Sequence, residues 1–294
     1  MRLVSLLPSA TEIVYALGLD EQLVGVSFEC EEPARARTEK TVVVGGRDTS
    51  GMSPRAIDDY VRAQLAAGLD LYTLHAGALA ALRPDVILTQ DLCRVCALPS
   101  GEVERALDHL GCDADVVTLD PHTLPDVLES ILTVGRRTGA EPRARELVTR
   151  LRERLATVAE RVAGRARPRV AVVEWVDPPF RAGHWVPDLV RAAGGEPVCA
   201  QPGVRSTPAT WGDFADSDPD VVLVAPCGFH LEAASVQARA VAAALPGCPV
   251  WALDGDALVV RPGPRLVTGV EVIAAILHPD VVPGPATATA ARVA

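Results

Sequence analysis

The chain has 294 residues, 49% of them hydrophobic, which is enough for two compact domains with substantial cores. Its 28 basic and 38 acidic residues leave a formal net charge of −10. That balance argues against a nucleic-acid-binding protein, which needs clustered Lys and Arg. The sequence also contains no run of about 20 apolar residues that would cross a membrane.

The first apolar run, residues 3–7, stops at Pro8. It has no small-x-small cleavage site, so we interpret it as a buried strand and not as a secretion signal. We therefore expect a cytoplasmic protein whose seven cysteines are reduced. Ser9 and Glu12 form a capping-box pattern, which predicts that the first helix begins at Ser9.

The rest of the first half alternates between short apolar runs and helical patterns. Strands are predicted at residues 23–26, 42–44, 86–89 and 116–119, and helices at residues 54–66, 77–82 and 102–110. This alternation is typical of an α/β domain with a parallel sheet.

A long helix is predicted at residues 141–163, which contain no glycine and a single proline at the start. Its apolar residues lie on one face: Leu147, Leu151, Leu155, Val158 and Val162. A 20-residue helix is about 30 Å long, so this one is long enough to link two lobes.

The second half repeats the alternation. Strands are predicted at residues 170–175, 221–223 and 250–253, and helices at residues 186–193, 233–245 and 265–277. Residues 279–294 are rich in Pro, Ala and Thr and are predicted to be a disordered tail. The predicted division is an N-terminal lobe at 1–139, a linking helix at 140–167 and a C-terminal lobe at 168–278.

One phrase occurs in both halves: Pro-Asp-Val-Ile-Leu at residues 84–88 and Pro-Asp-Val-Val-Leu at residues 219–223. Cys93 and Cys96 follow the first copy and Cys227 follows the second. A Pro-Asp turn before a β-branched run indicates a buried parallel strand, and parallel sheets bind ligands at the carboxyl ends of their strands. The repeat predicts two similar lobes whose cysteine-bearing loops face one cleft.

Five segments carry a family resemblance, in family order and across residues 1–278. They are residues 3–12, 82–87, 192–195, 218–222 and 261–266. The chain resembles the helical-backbone solute-binding proteins of ABC transporters for metals, siderophores and cobalamin, and within them the cobalamin-binding proteins. The resemblance implies a class III periplasmic-binding-protein-like fold: two Rossmann-like α/β lobes joined by one long helix, with the ligand cleft between them. Within this family, the resemblance is to a cytosolic branch without a signal peptide.

Residues in the predicted loops are candidates for ligand binding. Loop tryptophans present a flat apolar face to a planar ligand, or else cover seams between loops and helices. The arginines are candidates to contact ligand carboxylates or amides, with simple solvation as the alternative. His184 is a candidate to ligate a metal or to donate a hydrogen bond. The N-terminus of a helix binds anions. The candidates are Ser9, Ala10, Thr11, Phe28, Glu174, Trp175, Arg181, His184, Trp185, Trp211, Phe229 and Arg261. His122 is predicted to be a surface or helix-end residue.

Four cysteines follow predicted strands and are candidate metal ligands: Cys30, Cys93, Cys96 and Cys227. Four thiolates hold zinc or an iron–sulfur cluster, although this spacing matches no standard pattern. The alternative is four unrelated reduced thiols.

Two functions from different classes follow. The first is non-catalytic binding of cobalamin or a similar metal chelate in the cleft. The second is a cytosolic metal- or iron–sulfur-binding protein or enzyme that uses the cleft cysteines. The expected partner is a small molecule or metal chelate, with a transporter permease left open. No hydrolase or nucleotide-binding motif is present in the sequence.

Overall fold

The computed structural model describes residues 1–91, 100–110, 113–284 and 289–294. The chain forms two compact units. Unit 1 comprises Met1–Asp120 and Leu128–Val148, and unit 2 comprises Pro121–Val127 and Thr149–Ala294. Each has its own sheet, so the predicted α/β class with two lobes is confirmed. The domain boundaries derived from the sequence stay predictions.

The sheet of unit 1 has the order β4-β3-β2-β1-β5-β6 within the described residues. Its strands are β1 (Leu3–Ser5), β2 (Leu23–Ser27), β3 (Thr41–Gly46), β4 (Tyr72–Leu74), β5 (Val86–Thr89) and β6 (Asp115–Thr118). All neighbours are parallel except β3 and β4. The central strands β1 and β5 are fully buried and mostly apolar, because both faces of a parallel sheet are covered.

The helices around this sheet, in chain order, are α1 (Pro8–Ala16), α2 (Arg35–Glu39), α3 (Pro54–Ala66), α4 (Ala76–Leu82), α5 (Ser100–Leu110) and α6 (Leu124–Arg137). The predicted helix at 54–66 and the strand at 86–89 match α3 and β5. The 14-residue helix α6 was missed by the sequence analysis, although Val127, Ile131 and Val134 form its buried stripe.

The predicted long helix is α7 (Glu141–Val162), and it passes from unit 1 into unit 2. Its buried residues are Ala144, Val148, Leu151 and Val158. The predicted apolar face is therefore present, but the residue buried at its start is Val148 and not Leu147. In unit 2, the Arg154 guanidinium on α7 binds the Glu271 carboxylate at 2.7 and 2.8 Å.

Unit 2 has a mixed sheet of the order β10-β8-β7-β11-β12-β13 within the described residues, with β9 paired to β7. The strands are β7 (Arg169–Val176), β8 (Pro179–Arg181), β9 (Glu196–Val198), β10 (Thr207–Pro208), β11 (Val221–Val224), β12 (Val250–Leu253) and β13 (Ala290–Arg292). The helices are α8 (Val186–Ala192), α9 (Trp211–Asp216), α10 (Leu231–Ala244), α11 (Gly255–Leu258) and α12 (Leu266–Leu277). Strands β7, β11 and β12 are parallel and form the centre of the core.

Two sequence-based predictions about chain ends are wrong. Residues 279–294 are not a disordered tail throughout, because β13 pairs antiparallel with β12 and fills the sheet edge. Ser9 does not cap α1: the helix begins at Pro8, whose missing N–H suits the first helical position, and Leu7 is the capping residue. Among the described helices, none combines the length and hydropathy that a membrane span needs.

Candidate functional site

An aromatic pair lies at the carboxyl end of the unit 2 sheet. Trp175 is near the end of β7 and Phe229 lies in the loop after β11, and their ring centroids are 5.7 Å apart. Both side chains are half-buried, and the Trp175 indole N–H donates to the Asp177 carbonyl at 3.1 Å. The structure therefore brings together two of the predicted ligand-binding residues at the edge where parallel sheets bind ligands.

The predicted ligand residue Glu174 is occupied within the protein. Its carboxylate accepts hydrogen bonds from the Gly183 backbone N–H at 3.0 Å and from the Ser206 hydroxyl. A Cβ at Gly183 would lie 2.4 Å from the Ser206 backbone nitrogen, so only glycine allows these segments to meet. Glu174 therefore fixes the segment that follows β8, which carries His184.

Arg181 is paired with the Asp213 carboxylate at 3.3 Å, and its side chain retains 25% exposure. Asp213 also closes a capping box with Thr210 at the start of α9. The backbone and hydroxyl hydrogen bonds of Thr210 lower the pKa of Asp213. Trp211, predicted as a loop residue, instead starts α9 and packs against the core, with its ring 5.7 Å from Phe214. Arg181 thus stays a ligand candidate, and Trp211 has a packing role.

His184 and Trp185 adopt different environments although they are neighbours. Trp185 is 6% exposed and its indole N–H donates to the Val259 carbonyl at 2.8 Å, so it is part of the interior and does not present a flat wall. His184 is half-buried, has a positive φ of 46° and stacks on Trp185. Burial, with the nearby charges of His122 and Arg205, lowers the pKa of His184 to about 4.

Arg261 belongs to a buried ion pair with Asp256, at 2.9 Å, with 12% and 5% of the side chains exposed. The Asp256 carboxylate also accepts from the Gly228 backbone N–H at 2.9 Å, in the loop after β11. Asp256 therefore fixes the segment that carries Phe229. The sequence analysis missed this role, because Asp256 belongs to no motif.

The residues predicted to bind an anion at the start of α1 are buried inside unit 1. Ser9, Ala10 and Thr11 are at most 3% exposed, and the Thr11 hydroxyl donates to the Ser5 hydroxyl at 2.8 Å. These residues connect α1 to β1, so their contacts are those of a core position.

A second aromatic pair lies in unit 1, after β2. The rings of Phe28 and Tyr72 have centroids 6.1 Å apart, and the Tyr72 hydroxyl donates to Glu29 at 3.2 Å. Cys30 is fully buried, and its thiol donates to the Ser5 carbonyl at 3.9 Å. Tyr72 was missed because its strand, β4, has only three residues.

The cysteine prediction is described only in part. Cys227 is exposed and Cys30 is buried, whereas Cys93 and Cys96 lie outside the described residues. A metal site formed by these four cysteines stays a prediction.

Two α/β units with a long helix running from one into the other are the fold that the resemblance to solute-binding proteins implies. The sequence profile of the periplasmic binding protein family matches residues 3–246, and the chain belongs to this family. An uncharacterized ABC transporter substrate-binding lipoprotein, YvrC of Bacillus subtilis (strain 168), is 24% identical over 95% of this chain and 80% of the relative.

The fold is also similar to that of solved structures. A periplasmic heme-binding protein from Pseudomonas aeruginosa has a TM-score of 0.71 and 23% identity, over 98% of this chain and 96% of that one. The periplasmic vitamin B12-binding protein BtuF of Vibrio cholerae has a TM-score of 0.64 and 23% identity, over 94% of this chain and 96% of that one. These likenesses concern the fold.

Proposed function

We propose that this protein is a non-catalytic binder of cobalamin or a similar planar metal chelate, such as heme. The observation that carries the proposal is the Trp175–Phe229 pair at the carboxyl ends of β7 and β11. Half-buried aromatic rings offer a large apolar area to a macrocycle at little cost in side-chain entropy. The names of similar solved proteins, which bind heme and vitamin B12, agree with a ligand of this kind.

Arg181 gives the proposed site a positive group for the carboxylates or amides at the rim of such chelates. The partner Asp213 is 46% exposed, and an ion pair with a solvated partner contributes about 0–1 kcal/mol. A ligand carboxylate can therefore displace Asp213 at small cost. In unit 1, the Phe28–Tyr72 pair supplies a second aromatic surface for the same class of ligand.

The test is a titration of cyanocobalamin, and separately of hemin, followed by tryptophan fluorescence and by the absorption band of the chelate. Saturable binding at micromolar protein supports the proposal. Trp175→Leu is expected to weaken binding about ten-fold, which corresponds to about 1.4 kcal/mol for one aromatic contact. Trp251→Phe, in β12, is the matched control and leaves the affinity unchanged.

The absence of saturable binding for both chelates would refute the proposal. If Trp175→Leu binds the chelate with unchanged affinity, the protein is still a chelate binder, but Trp175 is not part of the binding surface. Circular dichroism on each variant separates a lost contact from a lost fold.

The second proposed function is a zinc or iron–sulfur site formed by Cys30, Cys93, Cys96 and Cys227. Metal analysis and an absorption spectrum of protein purified without oxygen test it. Near-stoichiometric metal that is lost in Cys93→Ser with Cys96→Ser, and retained in Cys248→Ser, supports it. Colourless, metal-free protein counts against it. The cytoplasmic location also stays a proposal, which fractionation of expressing cells tests.

A further inference from the structure

Two imidazole rings lie side by side in unit 2. The ring centroids of His122 and His184 are 6.2 Å apart, and the ring planes are tilted by 49°. A transition metal bound to a ring nitrogen at about 2.1 Å lies about 3.2 Å from the centroid, so two rings that share one ion have centroids about 5 to 6.4 Å apart. The observed separation falls within this range.

The hydrogen bonding of His122 leaves one ring nitrogen suited to a metal. Its Nδ1 lies 3.2 Å from the Gly203 carbonyl oxygen. A carbonyl accepts and never donates, so Nδ1 carries the proton and Nε2 carries the lone pair in the neutral ring. Metal-binding histidines nearly always donate their other N–H in this way, because the contact fixes the tautomer and the ring orientation.

Both histidines contact the same loop, residues 203–204: His122 through its ring and His184 through its backbone. The His184 N–H donates to the Val204 carbonyl at 2.6 Å, and the Gly203 N–H donates to the His184 carbonyl at 3.0 Å. His184 is held in a left-handed conformation, which is uncommon for a residue other than glycine and is concentrated at functional sites.

The segment that carries His122 is also held in place, by carboxylates that accept hydrogen bonds from its backbone. The Asp126 carboxylate accepts from the His122 backbone N–H at 3.1 Å. The Asp188 carboxylate, three residues after Trp185, accepts from the Leu124 N–H at 3.1 Å. These two carboxylates therefore fix the backbone on either side of Thr123.

We propose that His122 and His184 form a binding site for a divalent transition-metal ion with affinity for imidazole, such as Ni²⁺ or Zn²⁺. Water molecules complete the coordination. The ligand is the hydrated ion and not a chelate, so this inference goes beyond the proposed function and does not depend on it.

The experiment is calorimetric titration of metal-free, fully reduced protein with Ni²⁺ at pH 7.5. A Cys93→Ser, Cys96→Ser, Cys227→Ser background removes accessible thiols that compete for the ion. We expect one saturable equivalent, and a loss of affinity of about ten-fold or more in His122→Gln and in His184→Asn, because each variant removes one of two imidazole ligands. Asparagine is chosen at position 184 because it tolerates the left-handed conformation.

His75→Gln, which alters an exposed histidine of unit 1, is the matched control and keeps the wild-type affinity. Thermal unfolding with and without Ni²⁺ gives an independent readout: the ion raises the Tm of the background protein and of His75→Gln, but not of either site variant. Absence of saturable binding overturns the proposal. So does a loss confined to one of the two variants, which indicates a single-histidine contact.

Discussion

The carboxylate of Asp220 accepts a hydrogen bond from the backbone N–H of Arg169 at 2.7 Å, and the Asp220 N–H donates to the Arg169 carbonyl at 2.8 Å. Asp85 and Arg2 form the same two hydrogen bonds in unit 1, at 2.6 and 2.8 Å. Each pair stands where two adjacent parallel strands begin, β7 and β11 or β1 and β5. The repeated Pro-Asp phrase therefore fixes the register of the central strands in both units.

The first prediction concerns this contact. Asp220→Ala is expected to lower the free energy of unfolding by about 1 kcal/mol, because it removes the acceptor of one backbone N–H. Asp218→Asn is the control: Asp218 has a positive φ, which asparagine tolerates, and we expect no measurable change. Urea denaturation followed by circular dichroism measures both. Equal stability of Asp220→Ala and wild type would show that water replaces the carboxylate at this site.

The elements that the sequence predicted well are those whose pattern is local. The strands β5 and β12 are short, mostly apolar runs that follow a proline, and α3 has Pro54 at its first position. For α7, the apolar residues recur at helical spacing over 22 residues. Local composition suffices in these cases because one face, or both, must be buried.

Two of the missed strands depend on partners that are distant in the chain. The strand β13 consists of Ala-Ala-Arg, which has no strand pattern, and it forms because β12 offers an open edge. The three-residue β4 exists only as the antiparallel neighbour of β3. Such strands follow from the sheet and not from their own residues.

The sequence predicted the candidate site from residue types alone, and the structure shows which of the predicted residues contact one another. Trp175 and Phe229 meet, whereas Trp185 is buried and hydrogen-bonded. Loop tryptophans beside Gly and Pro have the same local sequence character in both roles. Only the three-dimensional structure shows which ring is buried in the interior. For the same reason, the proximity of His122 to His184 had no signal in the sequence.

The second prediction concerns the buried ion pair of unit 2. Asp256→Ala removes the partner of Arg261 and the acceptor of the Gly228 N–H, and we expect a loss of about 3 kcal/mol in the free energy of unfolding. Asp256→Asn retains an acceptor and is expected to lose less. Glu141→Gln breaks the exposed pair with Arg145 on α7 and is the control, with a loss below about 0.5 kcal/mol. Similar losses in Asp256→Ala and Glu141→Gln would contradict a structural role for the buried pair.

The third prediction concerns thiol reactivity. Cys227 is exposed, Cys30 is fully buried, and burial raises the pKa of the Cys199 thiol, so less thiolate is present at Cys199 at a given pH. Brief alkylation with iodoacetamide at pH 7.5, mapped by mass spectrometry, is expected to label Cys227 well before Cys199 and Cys30. Raising the pH increases the labelling of Cys199. In denaturant the three sites become equally reactive, which is the internal control, and early labelling of Cys30 would contradict its buried position.

The last prediction distinguishes a packing role from a ligand-contact role for Trp185 and Trp175. Trp185→Phe leaves the Val259 carbonyl without its indole donor in the interior, and we expect a loss of about 2 kcal/mol in the free energy of unfolding. Trp175→Leu alters a half-buried ring at the sheet edge and is expected to change stability less. Chelate titration should give the reverse order, with affinity lowered in Trp175→Leu and kept in Trp185→Phe, measured at a temperature where both variants are folded. If Trp185→Phe lowers the affinity as strongly as Trp175→Leu does, Trp185 contributes to the ligand site even though its ring is buried, because it supports the loop that carries His184.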